Sequence, residues 1–241
     1  MNVIEINNLK FSYSGGNTVL HDISFRVFSG EIFVIAGLSG SGKTTLCRIL
    51  CGIIPRAIKG TLSGQVKVLD IEPSETDLSQ ASLRIGMVFQ DPDSQIISTA
   101  VEDELAFGLE NLCRQPEKIQ SRVDELLIDF GLRELRYANP AHLSGGQKKL
   151  LTIAAALAPS PPVLVLDEPM SGLDDEGREL VKNTILRLRR QGHTVMIVEH
   201  DLNPVAFANR WLLLHEGGIA ACAAPSDILR DNNLLEKLGY K

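Results

Sequence analysis

The sequence predicts an α/β fold: a mostly parallel sheet, an antiparallel β part near the N-terminus, and a helical insertion in the middle. Three observations carry this. The apolar run Ile32–Ala36 leads into Gly37-Leu38-Ser39-Gly40-Ser41-Gly42-Lys43-Thr44, and the helix-forming Thr45-Leu46-Cys47-Arg48-Ile49-Leu50 leads out. Short apolar runs recur at residues 85–89, 163–166 and 194–198, as in strands covered on both faces. After residue 100 the apolar spacing changes to that of helices.

In order along the chain, residues 4–8, 23–28 and 65–69 alternate apolar and polar, the pattern of half-buried antiparallel strands. Ser14-Gly15-Gly16-Asn17 is a turn, and Tyr13 before it either stacks on an adenine ring or packs on the sheet. Residues 52–64, with their proline and glycines, read as a loop. The strand at 85–89 ends at Gln90, because Asp91-Pro92 cannot continue it. From Gln90 to Ala141 the chain reads as helical, without strands. Val101, Leu105, Leu109 and Leu112 mark one helix face; Ile119, Val123, Leu126, Leu127 and Phe130 mark another, between Pro116 and Gly131. A helix over about 175–191 would turn Leu180, Val181, Ile185 and Leu188 inward, with Gly192 at its end. Residues 211–214 and 218–221 form a hairpin around Glu216-Gly217, and the tail from 226 to 238 is helical.

The chemistry concentrates at strand ends. Strand, glycine-rich turn and helix N-terminus, in that order, make a phosphate-binding loop: glycines let the backbone wrap an anion, and helix N–H groups point at it. Lys43 adds a point charge for β- and γ-phosphates, and the Thr44 hydroxyl suits magnesium. Gln90, at its strand end, could reach a metal or water at such a site, or simply end the strand. Leu143-Ser144-Gly145-Gly146-Gln147 starts a second helix, with Ser144 as N-cap and glycines exposing backbone donors. Asp167 and Glu168 end a buried strand; Asp167 can hold magnesium and Glu168 can orient or deprotonate an attacking water. His200 ends another core strand on the same sheet edge, where open α/β sheets bind ligands, and could bond a γ-phosphate. His21, His142, His193 and His215 lack such a context and read as surface or loop residues.

Composition narrows the classes. A formal net charge of −6 disfavours general nucleic-acid binding. The apolar and charged fractions, 44% and 22%, are those of a globular chain. The start, Met1-Asn2-Val3-Ile4-Glu5, lacks the basic and apolar segments of a leader, and no apolar run approaches the roughly 20 residues of a membrane span. Cys47 and Cys51 share a helix face without further metal ligands in sequence, so the four cysteines read as small buried hydrophobes of a reduced compartment.

Phosphate loop, strand-end glutamine, Leu-Ser-Gly-Gly-Gln, Asp-Glu strand end, Ser171-Gly172-Leu173-Asp174 and strand-end histidine, in this order, resemble the ATP-binding cassette ATPases over essentially the whole chain. The resemblance implies a single domain with a nucleotide-binding core at 1–89 and 142–241, including the antiparallel β part, and a helical subdomain at 90–141. It implies that Tyr13 stacks on adenine. Gly37, Ser39, Gly40, Ser41, Gly42, Lys43, Thr44 and Thr45 would hold the phosphates of ATP. Thr44, Gln90 and Asp167 would serve magnesium, Glu168 would be the base, and Gln90 and His200 would face the lytic water and γ-phosphate. Two cassettes would pair head to tail, identical or homologous. Ser144, Gly145, Gly146 and Gln147 of one would close on the nucleotide of the other, with Asp174 at the interface.

Residues 88–95, with a second glutamine at Gln95, residues 101–111 and the loop at 54–60 are similar to the energy-coupling factor importers of vitamins and transition-metal ions. That likeness implies a transmembrane coupling subunit docked on the helical subdomain, a small membrane protein that captures substrate, and a place on the cytoplasmic face of the membrane. Met170, where the family mostly has a small polar residue, and Leu150, where an arginine is common, depart from the pattern. Other readings are a cassette ATPase outside this group, one that remodels nucleic acid or ribosomes, or a phosphotransferase; the acidic balance and the Leu143–Gln147 motif disfavour the last two.

Overall fold

The computed structural model describes residues 1–240. The chain opens with a long hairpin, β1 (Asn2–Tyr13) and β2 (Thr18–Phe28). β3 (Ile32–Ala36) then enters the body of the molecule and passes through the glycine-rich loop into α1 (Lys43–Leu50). A short turn of helix, α2 (Ile53–Arg56), precedes β4 (Gly60–Val68), and α3 (Leu78–Ser82) precedes β5 (Ile85–Val88). Strands 2-1-4 form an antiparallel sheet.

The expected loop at 52–64 is therefore more regular than its composition suggests. Leu62 and Thr61 pair with Phe11 and Ser12 of β1, which extends the strand back to Gly60. The Arg56 guanidinium donates to the carbonyls of Gly52, Pro73 and Thr76, so one long side chain organises the connection.

Between Gln90 and Ala141 the regular elements are helical: α4 (Val101–Asn111), α5 (Pro116–Asp129) and short 3-10 turns. α6 (Gly145–Leu157), β6 (Val163–Asp167), α7 (Asp175–Arg190) and β7 (Thr194–Glu199) follow. The hairpin β8 (Arg210–His215) and β9 (Gly218–Ala223) closes the second sheet. The tail is two helices rather than one, α8 (Pro225–Arg230) and α9 (Asn232–Lys237), because the Asp231 side chain caps the second by accepting from Leu234 N at 3.0 Å.

The second sheet has the order 5-6-7-3-8-9, parallel except for the last pair. Three of its inner strands, β3, β6 and β7, are buried at every position yet keep a period of two, because successive side chains point to opposite faces. Ile32, Val34 and Ala36 of β3, Leu164 and Leu166 of β6, and Trp211 and Leu213 of β8 join the core under α4 to α7. Phe33, Ile35, Val163, Val165, Met196 and Val198 join the core against the antiparallel sheet and α1. Each fully buried aliphatic side chain contributes about 1.5–3 kcal/mol, so the double-sided sheet is the rigid platform of the molecule.

Three sequence expectations change. Leu180 is 43% exposed: the buried stripe of α7 runs through Gly177, Val181, Ile185 and Leu188, and Leu180 flanks it on the side of the cavity at Ser144. Leu112 is only partly buried. Cys47 and Cys51 are buried free thiols, but Cys113 and Cys222 are exposed.

Candidate functional site

Parallel strands share one direction, so their ends meet along one edge. Register places Ala36 beside Glu199, Asp167 beside Val198, and Val88 beside Leu166. Asp167 closes its strand, and the glycine-rich loop, Gln90, Glu168 and His200 lie just beyond these ends.

Two glycines in the loop are required by geometry. A Cβ at Gly37 would lie 2.4 Å from Leu214 O, and Gly42, at φ +100°, would put one 2.7 Å from Leu20 Cδ2. Gly42 is also the residue from which α1 springs. The Lys43 side chain is buried and folded over the loop, donating to the carbonyls of Gly37 (2.7 Å) and Leu38 (3.1 Å). Burial lowers its pKa, against the opposing pull of Glu168 and Asp167. Ser41 Oγ is buried without a hydrogen-bond partner. Val19, Gly40, Gly42, Lys43, Thr44 and Thr45 line an open cavity there. An orphaned hydroxyl, a buried cation and free helix N–H groups beside a cavity fit a bound polyphosphate.

Tyr13 stands near this loop with its hydroxyl 2.8 Å from Thr45 Oγ1 and its ring edge-on to Phe11, centroids 4.9 Å apart. Sheet packing and a place beside the loop thus coexist. Ser39 is exposed.

The carboxylate end of the site is compact. Gln90 Nε2 donates to Glu168 Oε2 at 2.7 Å, and the half-exposed His200 places Nδ1 3.4 Å from the same oxygen. Glu168 adopts φ +44°, a left-handed conformation uncommon for non-glycine residues. Asp167 is buried; desolvation, and then the charge of Glu168, raise its pKa, while Arg48, Lys43 and Lys149 oppose the rise. Thr44, Gln90 and Asp167 offer hydroxyl, amide and carboxylate oxygens, a hard donor set suited to magnesium. Among the described residues no cluster of three or more His, Cys, Asp or Glu could hold a metal unaided.

The second helix start is built differently. Ser144 accepts from Gln147 N at 3.2 Å, and Gln147 Oε1 accepts from Ser144 N at 2.9 Å, a complete capping box. The Gln147 side chain is thereby turned back on its own helix. Gly145 and Gly146, as the first two helical residues, keep N–H groups with no intrahelical acceptor. Asp174 is likewise committed to a cap, accepting from Gly177 N at 2.8 Å. Ser144, Gly145, Gly146, Gln147, Asp174 and Leu180 border one cavity that shares no residue with the cavity at Lys43.

Two groups were not legible as site residues. Lys149 is 2% exposed and reaches the carbonyls of Gln90 and Glu168; its spacing from Ile153 on the apolar stripe of α6 was the available signal. Glu199 is 3% exposed and accepts from Met170 N at 3.4 Å. Desolvation pushes its pKa up to about 7. The two departures acquire a context here: Leu150 is core, and Met170 is buried with its backbone on Glu199. Of the other histidines, His193 is half-buried with Nδ1 3.1 Å from Pro161 O.

Known proteins share this fold. The ABC transporter family model matches residues 20–171. The chain belongs to the ATP-binding cassette transporter family, among the ATPase subunits of the energy-coupling factor type. It is 40% identical over 240 residues to the energy-coupling factor transporter ATP-binding protein EcfA1 of Streptococcus thermophilus, covering 98% of this chain and 85% of that protein. An ABC transporter ATP-binding protein of Methanosarcina mazei is 38% identical over 242 residues; this chain spans 42% of its length. The structure superimposes on cbiO1 of Clostridium perfringens, part of the ABC transporter complex cbiONQ, with a TM-score of 0.86 and 30% identity, covering 100% and 95% of the two chains.

Proposed function

We propose that the chain is the ATP-hydrolysing subunit of an importer for a micronutrient, a vitamin or a transition-metal ion. The observation that carries this is the division of the site. The Lys43 loop with its carboxylates, and the Ser144 helix start, are separate open surfaces of one chain. A second cassette, identical or homologous, paired head to tail, would lay Ser144, Gly145 and Gly146 against the nucleotide held at Lys43, with Asp174 and Gln147 shaping that surface. ATP is then part of the interface, and hydrolysis loosens it, a two-state switch driven by differential affinity.

Within each site, Tyr13 would offer a π face to adenine. Lys43 would leave the carbonyls of Gly37 and Leu38 for the β- and γ-phosphates. Thr44, Gln90 and Asp167 would hold a magnesium ion, whose charge offsets that of the phosphates. Glu168 would take a proton from water as the water oxygen bonds the γ-phosphorus and the bond to the bridging oxygen breaks. Gln90 and His200, which already share Glu168 Oε2, would orient the water and γ-phosphate.

The helical subdomain at 90–141, distinct from the core at 1–89 and 142–241, would dock a transmembrane coupling subunit at the cytoplasmic face of the membrane. A small membrane protein would capture the substrate. Among the described residues no helix is long and apolar enough to cross a membrane, and the names of the EcfA1 and cbiO1 relatives support the transporter setting.

The test has two arms. The purified chain should release phosphate from MgATP. Purified from native membranes in mild detergent, it should bring with it a transmembrane coupling subunit and a small substrate-binding membrane protein, identified by mass spectrometry. Ribosomal proteins or nucleic acid in their place would refute the transport reading.

A further inference from the structure

A lysine with 2% exposure must be held, because a buried ammonium gives up its hydration. Lys149 Nζ is held by two backbone carbonyls, those of Gln90 and Glu168, the latter at 3.4 Å. These carbonyls follow the ends of neighbouring strands, β5 and β6, where the ladder of sheet hydrogen bonds stops. They belong to the two residues whose side chains meet at 2.7 Å. One of them, Glu168, holds a left-handed backbone at φ +44°, a conformation that persists only when its surroundings enforce it. Burial lowers the pKa of Lys149, opposed by the negative charges of Glu199, Asp167, Asp91 and Glu168.

We infer that Lys149 is a positioning residue for hydrolysis. Its ammonium pins the backbones of Gln90 and Glu168 so that both side chains converge on one point. It does not touch nucleotide itself. Lys149 sits one turn along α6 from the capping box at Ser144 and Gln147. The same strut therefore fixes the helix start that faces a partner's nucleotide relative to the groups that face this chain's own. On the outer side of α6, Lys148 pairs with Asp93 at 2.6 Å and ties the segment after Gln90 a second time. The inference rests on the hydrolysis reading above.

The experiment compares full-length wild type with Lys149→Met, Lys149→Gln and Lys149→Arg. Nucleotide sites are counted by titration with a fluorescent ATP analogue, and phosphate release is measured against MgATP concentration. The Met and Gln variants should keep wild-type site stoichiometry and a KM within about twofold, while kcat per titrated site falls tenfold or more. The Arg variant, which keeps the cation, should retain at least a third of wild-type kcat. A merely structural lysine would instead lower the number of titrated sites and leave kcat per site unchanged, and that result overturns the inference. So does a folded Met variant with kcat within threefold of wild type; should Met fail to fold, the same threshold applies to Gln. Wild type that binds but does not hydrolyse MgATP removes the hydrolysis reading and this inference together, whereas active wild type with an indifferent Lys149 variant removes the inference alone.

Discussion

Glu168→Gln separates chemistry from structure at one atom. The change keeps shape and removes charge. An amide oxygen still accepts the 2.7 Å bond from Gln90 Nε2, so the loss is the difference between a charged and a neutral hydrogen bond, about 1 kcal/mol. Part of that returns, because the Glu168 charge opposes ionisation of buried Asp167 and Glu199 nearby. The net effect on unfolding should stay below about 1 kcal/mol, a Tm shift of no more than about 2–4 °C for a chain of this size. The effect on turnover is of another order: an amide cannot accept a proton from water near neutral pH, and general-base catalysis supplies about 10²–10⁴-fold, or about 3–5 kcal/mol of barrier. ATP binding should be retained, since the phosphates lose a neighbouring negative charge. Phosphate release and nucleotide titration on the same preparation check both halves. Turnover within fivefold of wild type at full occupancy would refute the role of Glu168, as would an activity loss matched by an equal loss of binding sites.

Ser144→Arg fills the helix start and removes its cap; it should cost about 1 kcal/mol of stability yet abolish ATP-dependent dimerisation in the Glu168→Gln background, read by light scattering. A dimer that still forms contradicts head-to-tail pairing through Ser144. Gly42→Ala places a Cβ 2.7 Å from Leu20 Cδ2 at φ +100°, for a combined strain and overpacking cost of about 2–5 kcal/mol. Urea unfolding measures it, and a cost below about 1 kcal/mol would be inconsistent with this loop. Glu199, pushed up from 4.5 to about 7 by burial, holds its proton more tightly folded than unfolded. Stability is therefore present below about pH 4.5 and lost as pH rises toward and through 7, by about 3 kcal/mol. Glu199→Gln should flatten that segment of the stability–pH curve, and an unchanged curve would show that Glu199 is not the group responsible.

The sequence by itself determined the fold class, most of the order of elements and which residues stand at the strand ends. Continuous apolar runs at β3, β6 and β7, the glycine-rich loop before Lys43, and Ser144 ahead of two glycines are local signals, carried by neighbouring residues and so readable in one dimension. It also held the resemblance to the ATP-binding cassette family, which the family model and the matched relatives bear out. Only the tertiary structure decided which surfaces those residues serve. Leu180 fits an inward helical stripe but lies on its flank, bordering the cavity at Ser144, because Val181 beside it takes the inward position. Asp174 and Gln147 spend their side chains on caps, a choice set by helix geometry at each start. Lys148 and Lys149 are adjacent and chemically identical, yet one pairs with Asp93 near the surface and the other is buried against Gln90 and Glu168. The reason is physical: a flexible side chain's partners depend on the register of parallel strands and on the packing of α6 across them, and these join residues 59 and 19 positions from Lys149 in the chain.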